Sequence, residues 1–171
     1  MNLKEAKSNF TLPDLLQGTK DVLPDLYKSA LSSPPKVTGF SVEESVLMKM
    51  IKYSGQCDGY NPVITFYDYV KKEKPPAAAS ALSFMLGVNK MEPDVNQDDN
   101  VVRVSCTCNT YMAYFGQANY AASCHHGVKP KKVDGRDLGF NSQSPNKLEI
   151  PGVCDHLIGL YKYLLNLGKL A

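Results

Sequence analysis

The chain has 171 residues, of which 43% are hydrophobic and 21% charged, and it carries a formal net charge of +2. This length and composition indicate one packed domain with an appended arm and argue against wholesale disorder. The charge is too small to indicate a particular partner. The sequence contains no apolar run of about 18 residues, which a membrane span would need. The N-terminus lacks the apolar segment of a secretion signal. We therefore expect the protein in the cytoplasm, or outside the cell only as part of an assembly.

Residues 1–40 are predicted to form a helical N-terminal arm. Thr11 can cap a short helix over residues 12–17, and Asp21 precedes an apolar stripe at helical spacing. The Ser-Ser-Pro-Pro run that follows ends this second helix. The arm can pack on its own domain or dock on a neighbouring subunit, and both interpretations stay open.

The first part of the remaining chain predicts a β-hairpin. Residues 46–51 and 62–70 are rich in apolar and β-forming side chains, and residues 54–61 supply Gly and Asp for the turn between them. Cys57 lies in this turn and is interpreted as a solitary reduced thiol.

The next segment predicts a short helix followed by a loop. The run from Lys71 to Lys74, followed by Pro75 and Pro76, ends the preceding strand, and residues 77–86 predict the helix. Residues 89–100 carry four acidic side chains without the ligand spacing of an EF-hand, so they indicate a solvated loop and not a calcium site.

The C-terminal part predicts a strand over residues 101–108, an irregular insertion that can open with a helical turn over residues 117–122, and a final amphipathic helix. Together these elements predict an α+β fold. In it a small antiparallel sheet packs on the C-terminal helix, and residues 41–171 form the domain behind the arm.

Two short motifs carry the metal-binding signal. Cys106 and Cys108 end the predicted strand, and Cys154 and His156 begin the final helix. Three thiolates and one imidazole form a complete tetrahedral zinc set, and five cysteines in a chain without a secretion signal favour metal over disulfides. We expect one structural zinc to clamp the strand to the helix.

The spacing within each pair sets a geometric condition. Side chains at i and i+2 of a strand share a face but start about 6.5 Å apart, whereas sulfurs on one tetrahedral zinc lie about 3.8 Å apart, so the strand must bend near Cys108. Two steps along a helix rotate by about 200°. Cys154 must therefore lie at or before the first turn, with His156 just inside it.

Other assignments of these residues remain open. Buried free thiols, a disulfide between Cys108 and Cys154 and an iron–sulfur cluster are alternatives to zinc. Cys124, His125 and His126 are secondary metal-ligand candidates that can replace a member of the set or, with Cys57, build a second site.

The paired motif resembles the SWIM-type zinc finger, in which a Cys-x-Cys pair, an insertion and a Cys-x-His pair lead into an apolar helix. The matching stretches are Ser-Cys-Thr-Cys at 105–108 and Pro-Gly-Val-Cys-Asp-His-Leu-Ile-Gly-Leu at 151–160, and the resemblance covers about residues 100–168. It implies a zinc-stabilised fold, and it also implies nucleic-acid binding as an alternative function, because SWIM fingers occur in DNA-associated proteins.

The aromatic stretch at residues 111–122 and the later Cys-x-His motif are also similar to small virion proteins of tailed bacteriophages. This resemblance implies a component of a tail, baseplate or neck, present in multiple copies, bound to other structural proteins and made in the host cytoplasm before it enters the virion.

The sequence does not predict an enzyme. A closed set of four protein ligands leaves no open zinc position, and neither phosphate-binding nor hydrolase motifs are present. The nucleic-acid alternative rests on a basic group in the insertion, which comprises Lys129, Lys131, Lys132 and Arg136.

Overall fold

The computed structural model describes residues 9–73, 91–130 and 146–171. These residues form an α+β fold, which confirms the predicted class. The helices are α1 (Leu12–Val22), α2 (Pro24–Ser32), α3 (Gly116–Ala121) and α4 (Asp155–Asn166), and the strands are β1 (Thr38–Ser45), β2 (Met50–Gln56), β3 (Val63–Tyr67), β4 (Val70–Glu73), β5 (Met91–Asp94) and β6 (Val102–Ser105). The helix predicted over residues 77–86 lies outside the described residues.

The main sheet has four antiparallel strands in the order β1-β2-β3-β6. Alternate residues of its central strands, such as Ile51 and Tyr53, are buried on one face because successive side chains of a strand point to opposite faces. Helix α4 covers this face with Leu157, Leu160 and Leu164, which belong to the same apolar core. The predicted packing of the sheet against the C-terminal helix is therefore confirmed.

The predicted hairpin turn is found between β2 and β3, but the predicted first strand begins too early. The turn between β2 and β3 closes with paired backbone hydrogen bonds between Cys57 and Tyr60. Residues 46–49, however, form a turn between β1 and β2, closed by Lys49 at a φ of 47°. The apolar residues of this segment predicted a strand, but Leu47 is 96% exposed because it lies at the tip of the turn.

A second correction concerns the predicted strand end at Lys71 and the predicted loop at residues 89–100. Val70–Glu73 and Met91–Asp94 pair as the antiparallel strands β4 and β5, and an ion pair joins Lys72 to Asp94 at 2.5 Å. A polar two-stranded ribbon of this kind is specified by pairing between distant segments, so local composition did not indicate it.

The N-terminal helices pack into the same core as the sheet. The helix predicted over residues 12–17 runs on to Val22, and Leu12 and Leu15 are buried core residues. Helix α2 starts at Pro24, since proline is well suited to the first helical position. Of the helices that the structure describes, not one has the length and apolar character needed to cross a bilayer.

Candidate metal centre

Cys106 and Cys108 follow directly after β6. This strand ends at Ser105, three residues before the predicted end, so the two cysteines lie beyond the strand, and the chain bends at Cys108. Both side chains are buried, with 4% and 2% of their surface exposed. The early end of β6 meets the condition that the chain must bend near Cys108. An extended strand would hold the two sulfurs too far apart for one metal.

Cys154 and His156 lie at the entrance of α4. Cys154 is the N-cap residue in an extended conformation, with φ −84° and ψ 174°, and His156 is in the first turn. This placement is the one predicted from the i, i+2 spacing. Both residues are buried, and the partial positive charge of the helix N-terminus favours a thiolate here.

The two pairs meet between the sheet and the helix. One potential ligand atom from each of Cys106, Cys108, Cys154 and His156 lies within 4.8 Å of the other three. Sulfurs on a tetrahedral zinc lie about 3.8 Å apart, so the four atoms are close to the arrangement that a zinc ion requires. Throughout the described ranges, no other group of three or more Cys, His, Asp or Glu side chains converges in this way.

The electrostatics of the three thiols favour a bound cation. Hydrogen bonds from the Cys106 and Cys154 thiols, with a further one from the Tyr111 backbone N–H, lower the pKa of Cys108. The hydrogen bond to Cys108 raises the pKa of Cys106, and burial, together with both neighbouring sulfurs, raises the pKa of Cys154 well above its usual value. Three thiolates in such a small buried volume repel one another, so all three ionise only when a cation compensates them.

The imidazole of His156 has a carboxylate near each ring nitrogen. Its Nδ1 lies 3.3 Å from Asp155 Oδ1, and its Nε2 lies 4.0 Å from Asp58 Oδ2. The Nδ1 atom is buried and makes no hydrogen bond among the residues that the structure describes. Metal-bound histidines commonly direct the second ring nitrogen toward a carboxylate, so these surroundings suit a ligand histidine with either nitrogen on the metal.

The loop before Cys154 is fixed by side chains from two other elements. The Thr19 hydroxyl, on α1, accepts a hydrogen bond from the Val153 N–H at 2.7 Å. The Asn119 amide, on α3, bonds both the N–H and the carbonyl of Gly152 at 2.9 and 2.8 Å. Thr19 and Asn119 are fully buried, so they fix the backbone that positions Cys154 without contacting the metal-binding atoms themselves.

Two glycines permit the close approach of this loop to the helices. A Cβ on Gly18 would lie 1.9 Å from the carbonyl oxygen of Pro151, and a Cβ on Gly152 would lie 2.5 Å from the Phe115 ring. Neither position accommodates a larger residue unless the loop moves. The approach therefore depends on glycine at both positions.

The secondary ligand candidates lie apart from this group. His125 Nδ1 shares a hydrogen bond with the Tyr111 hydroxyl at 2.8 Å, and its Nε2–H donates to the Val128 carbonyl at 3.0 Å. His126 Nδ1 bonds the Thr65 hydroxyl at 3.0 Å. Cys124 is buried, and burial raises its pKa to about 12. These residues complete the packing beside β6 instead of joining the four ligands.

All five cysteines are free thiols, so the disulfide that was an alternative for Cys108 and Cys154 is not formed. Cys57, interpreted from the sequence as solitary, is buried at the β2–β3 turn, where its thiol donates to the carbonyl of His156 at 3.7 Å. Burial is the main cause that raises its pKa to about 11, and the nearby charges of Asp58 and Asp155 contribute to the rise. A protonated Cys57 is therefore a packing residue beside the candidate ligands.

Of the basic group in the insertion, the structure describes Lys129, whose ammonium lies 5.9 Å from the centre of the Tyr120 ring. Lys131, Lys132 and Arg136 lie outside the described residues. Nucleic-acid binding through this group remains a prediction.

Comparison with known proteins found no matching family model, no similar curated protein and no similar solved structure. The function is therefore inferred from the site itself.

Proposed function

We propose that Cys106, Cys108, Cys154 and His156 bind one structural zinc ion. The observation that carries this proposal is the convergence of four buried ligand atoms within 4.8 Å of one another. Three thiolates and an imidazole match the ligand preference of zinc. Iron–sulfur clusters more commonly use four cysteines, so zinc is the better fit.

The ion would join the chain that leaves β6 to the start of α4. Cys106 and Cys108 belong to the chain that leaves β6, whereas Cys154 and His156 open α4, about 46 residues later along the sequence. Binding would hold the strand end against the helix start and would contribute directly to the free energy of folding, since such a site does not persist in an unfolded chain.

A closed site of this kind favours a structural role over catalysis. Four protein ligands fill a tetrahedral zinc and leave no position for substrate or reactive water. We propose that the protein is a non-enzymatic assembly component. The resemblance to small tailed-phage virion proteins supports a place in a tail, baseplate or neck, in multiple copies and in contact with other structural proteins of the particle.

Cobalt substitution tests the metal site. The apoprotein titrated with Co²⁺ should develop strong visible absorption that saturates at one ion per chain, because tetrahedral thiolate-bound Co²⁺ absorbs far more strongly than octahedral Co²⁺. Addition of Zn²⁺ should remove the absorption. Weak octahedral absorption, or saturation at another stoichiometry, would contradict a closed Cys₃His site.

Deletion of the gene tests the assembly role. Particles made without the protein should stop at an incomplete stage, and purified complete particles should retain the protein through high-salt washing. Normal particles from the deletion strain would contradict the assembly role while leaving the metal site intact.

A further inference from the structure

The two edges of the main sheet differ in how they are covered. At the β6 edge, the segment around His125 pairs with Val104: the Val104 N–H donates to the Cys124 carbonyl at 2.8 Å, and the His126 N–H donates to the Val104 carbonyl at 2.9 Å. At the other edge, β1 pairs with β2 alone among the described segments, and six of its eight residues are exposed.

The register shows which backbone groups of β1 point away from the sheet. The Gly55 N–H bonds the Pro62 carbonyl at 3.2 Å, so the odd-numbered residues of β2 bond to β3 and the even-numbered ones bond to β1. Residue pairs Ser41–Ser54 and Glu43–Lys52 therefore form the hydrogen-bonded pairs of the β1–β2 ladder. The N–H and C=O groups of Val42 and Glu44 point outward.

Strand β1 lacks two of the common protections of a free edge. It contains neither lysine nor proline, which natural edge strands use to prevent pairing. Its irregular stretch, between Thr38 and Ser41, is confined to one end. The outer side of the regular stretch from Ser41 to Ser45 has no ladder partner among the residues that the structure describes.

We propose that β1 pairs antiparallel with β1 of a second copy of this chain, about a twofold axis at Val42, so that the two four-stranded sheets become one continuous sheet. In this register Val42 faces Val42, Ser41 faces Glu43, and Phe40 faces Glu44. The outward backbone groups of one strand then meet those of the other, which is the pairing mode of β-strand addition.

The charges of β1 suit this register. Glu43 is paired with Lys52 at 2.6 Å and Glu44 with Lys71 at 2.9 Å within the same chain, so the strand carries little uncompensated charge to the interface. With the axis at Val42, each glutamate faces a serine or a phenylalanine. With the axis at Glu43, two glutamates would face each other, which is unfavourable.

The apolar surface near β1 would also become less exposed. Val42 is 46% exposed, and the neighbouring turn carries Val46, Leu47 and Met48 at 66%, 96% and 61% exposure. The proposed register brings this turn of one copy alongside the start of β1 in the other. Three consecutive exposed apolar residues are unusual on a surface that has no partner.

The β1–β1 pairing deepens the proposed assembly role, and the biological meaning of the pairing rests on that role. The pairing does not involve the proposed metal ligands.

Sedimentation of the zinc-loaded full chain over a concentration range tests the pairing. The unaltered protein should dimerise. Val42→Lys should weaken the dimer by roughly 100-fold or more, because two ammonium groups would face each other. The matched control Val70→Lys, at an exposed valine of β4 (56%), should leave the dimer unchanged.

Crosslinking tests the register. Cα atoms of a facing hydrogen-bonded pair lie about 5.5 Å apart, within disulfide range. Mild oxidation of Val42→Cys should therefore give a covalent dimer, whereas Ser45→Cys, which would face Gly39, should not. A monomeric unaltered protein, or a Val42→Lys dimer of full strength, would overturn the pairing. Zinc content measured on the same samples separates these outcomes from a failure of the metal site.

Discussion

Cys108 and Cys124 are both buried cysteines, but Cys108 lies among the four proposed ligands and Cys124 does not. Replacing either one by alanine removes a sulfur of similar burial. Cys108→Ala should lose tightly bound zinc, because a ligand is missing. Cys124→Ala should retain one ion per chain. Zinc content after gel filtration into metal-free buffer measures both, and equal zinc in the two variants would place the metal elsewhere.

The protonation of the cysteines predicts how zinc binding depends on pH. Hydrogen bonds from its neighbours lower the pKa of Cys108, whereas the pKa values of Cys106 and Cys154 are raised, by the bond to Cys108 and by burial respectively. These directions predict one ionised and two protonated cysteines in the apoprotein near neutral pH, so zinc binding should release about two protons. Because zinc competes with these protons, the affinity should fall as the pH falls.

Calorimetric titration with zinc in buffers of different ionisation enthalpy counts the released protons. Release of about two protons per ion supports the arrangement of one thiolate and two thiols. An affinity independent of pH, or a proton release near zero, would mean that the three thiols do not form the site.

At the scale of the elements, Thr19 ties α1 to the loop before Cys154. Thr19→Val should lower the free energy of unfolding of the zinc-loaded protein by about 1–3 kcal/mol, because the buried Val153 N–H loses its acceptor. Thr19→Ser keeps the hydroxyl and should recover most of that loss. Denaturant unfolding measures both variants, and equal stabilities would show that the hydrogen bond has no net effect.

The sequence predicted some of these elements well and others poorly, for physical reasons. Helix α4 and the placement of Cys154 and His156 follow from local periodicity and from helix geometry, so they were predictable. The turn at residues 46–49 was not, because its side chains are apolar and its shape depends on the backbone of Lys49. The ribbon of β4 and β5 depends on pairing between segments that residues 74–90 separate along the chain, and short-range patterns do not encode such pairing.

The sequence also did not indicate the residues that fix the loop before Cys154. Thr19 contacts Val153 across 134 positions of the chain, and Asn119 contacts Gly152 across 33. No local pattern links such residues. A polar residue inside an apolar helical stretch, as Asn119 is, was the available signal, since buried amides need fixed partners.

At the scale of the whole molecule, the charge distribution gives a test of the nucleic-acid alternative. If the group that includes Lys129 binds DNA, binding to arbitrary duplexes should weaken steeply as salt rises, because each phosphate contact releases counterions. We expect the assembly component that we propose to show no such binding at low salt. Tight, strongly salt-dependent binding by the zinc-loaded protein would favour the SWIM-type nucleic-acid role instead.

The proposed metal site lies within the core that joins the sheet to α4, so loss of the metal should be felt across the C-terminal half of the molecule. The most direct test is native mass spectrometry of the purified protein with and without a chelator, combined with thermal unfolding of the same samples. We predict one zinc per chain, lost together with cooperative folding of the C-terminal part. A metal-free protein that is fully folded, with all five thiols reactive once it is denatured, would contradict the zinc clamp.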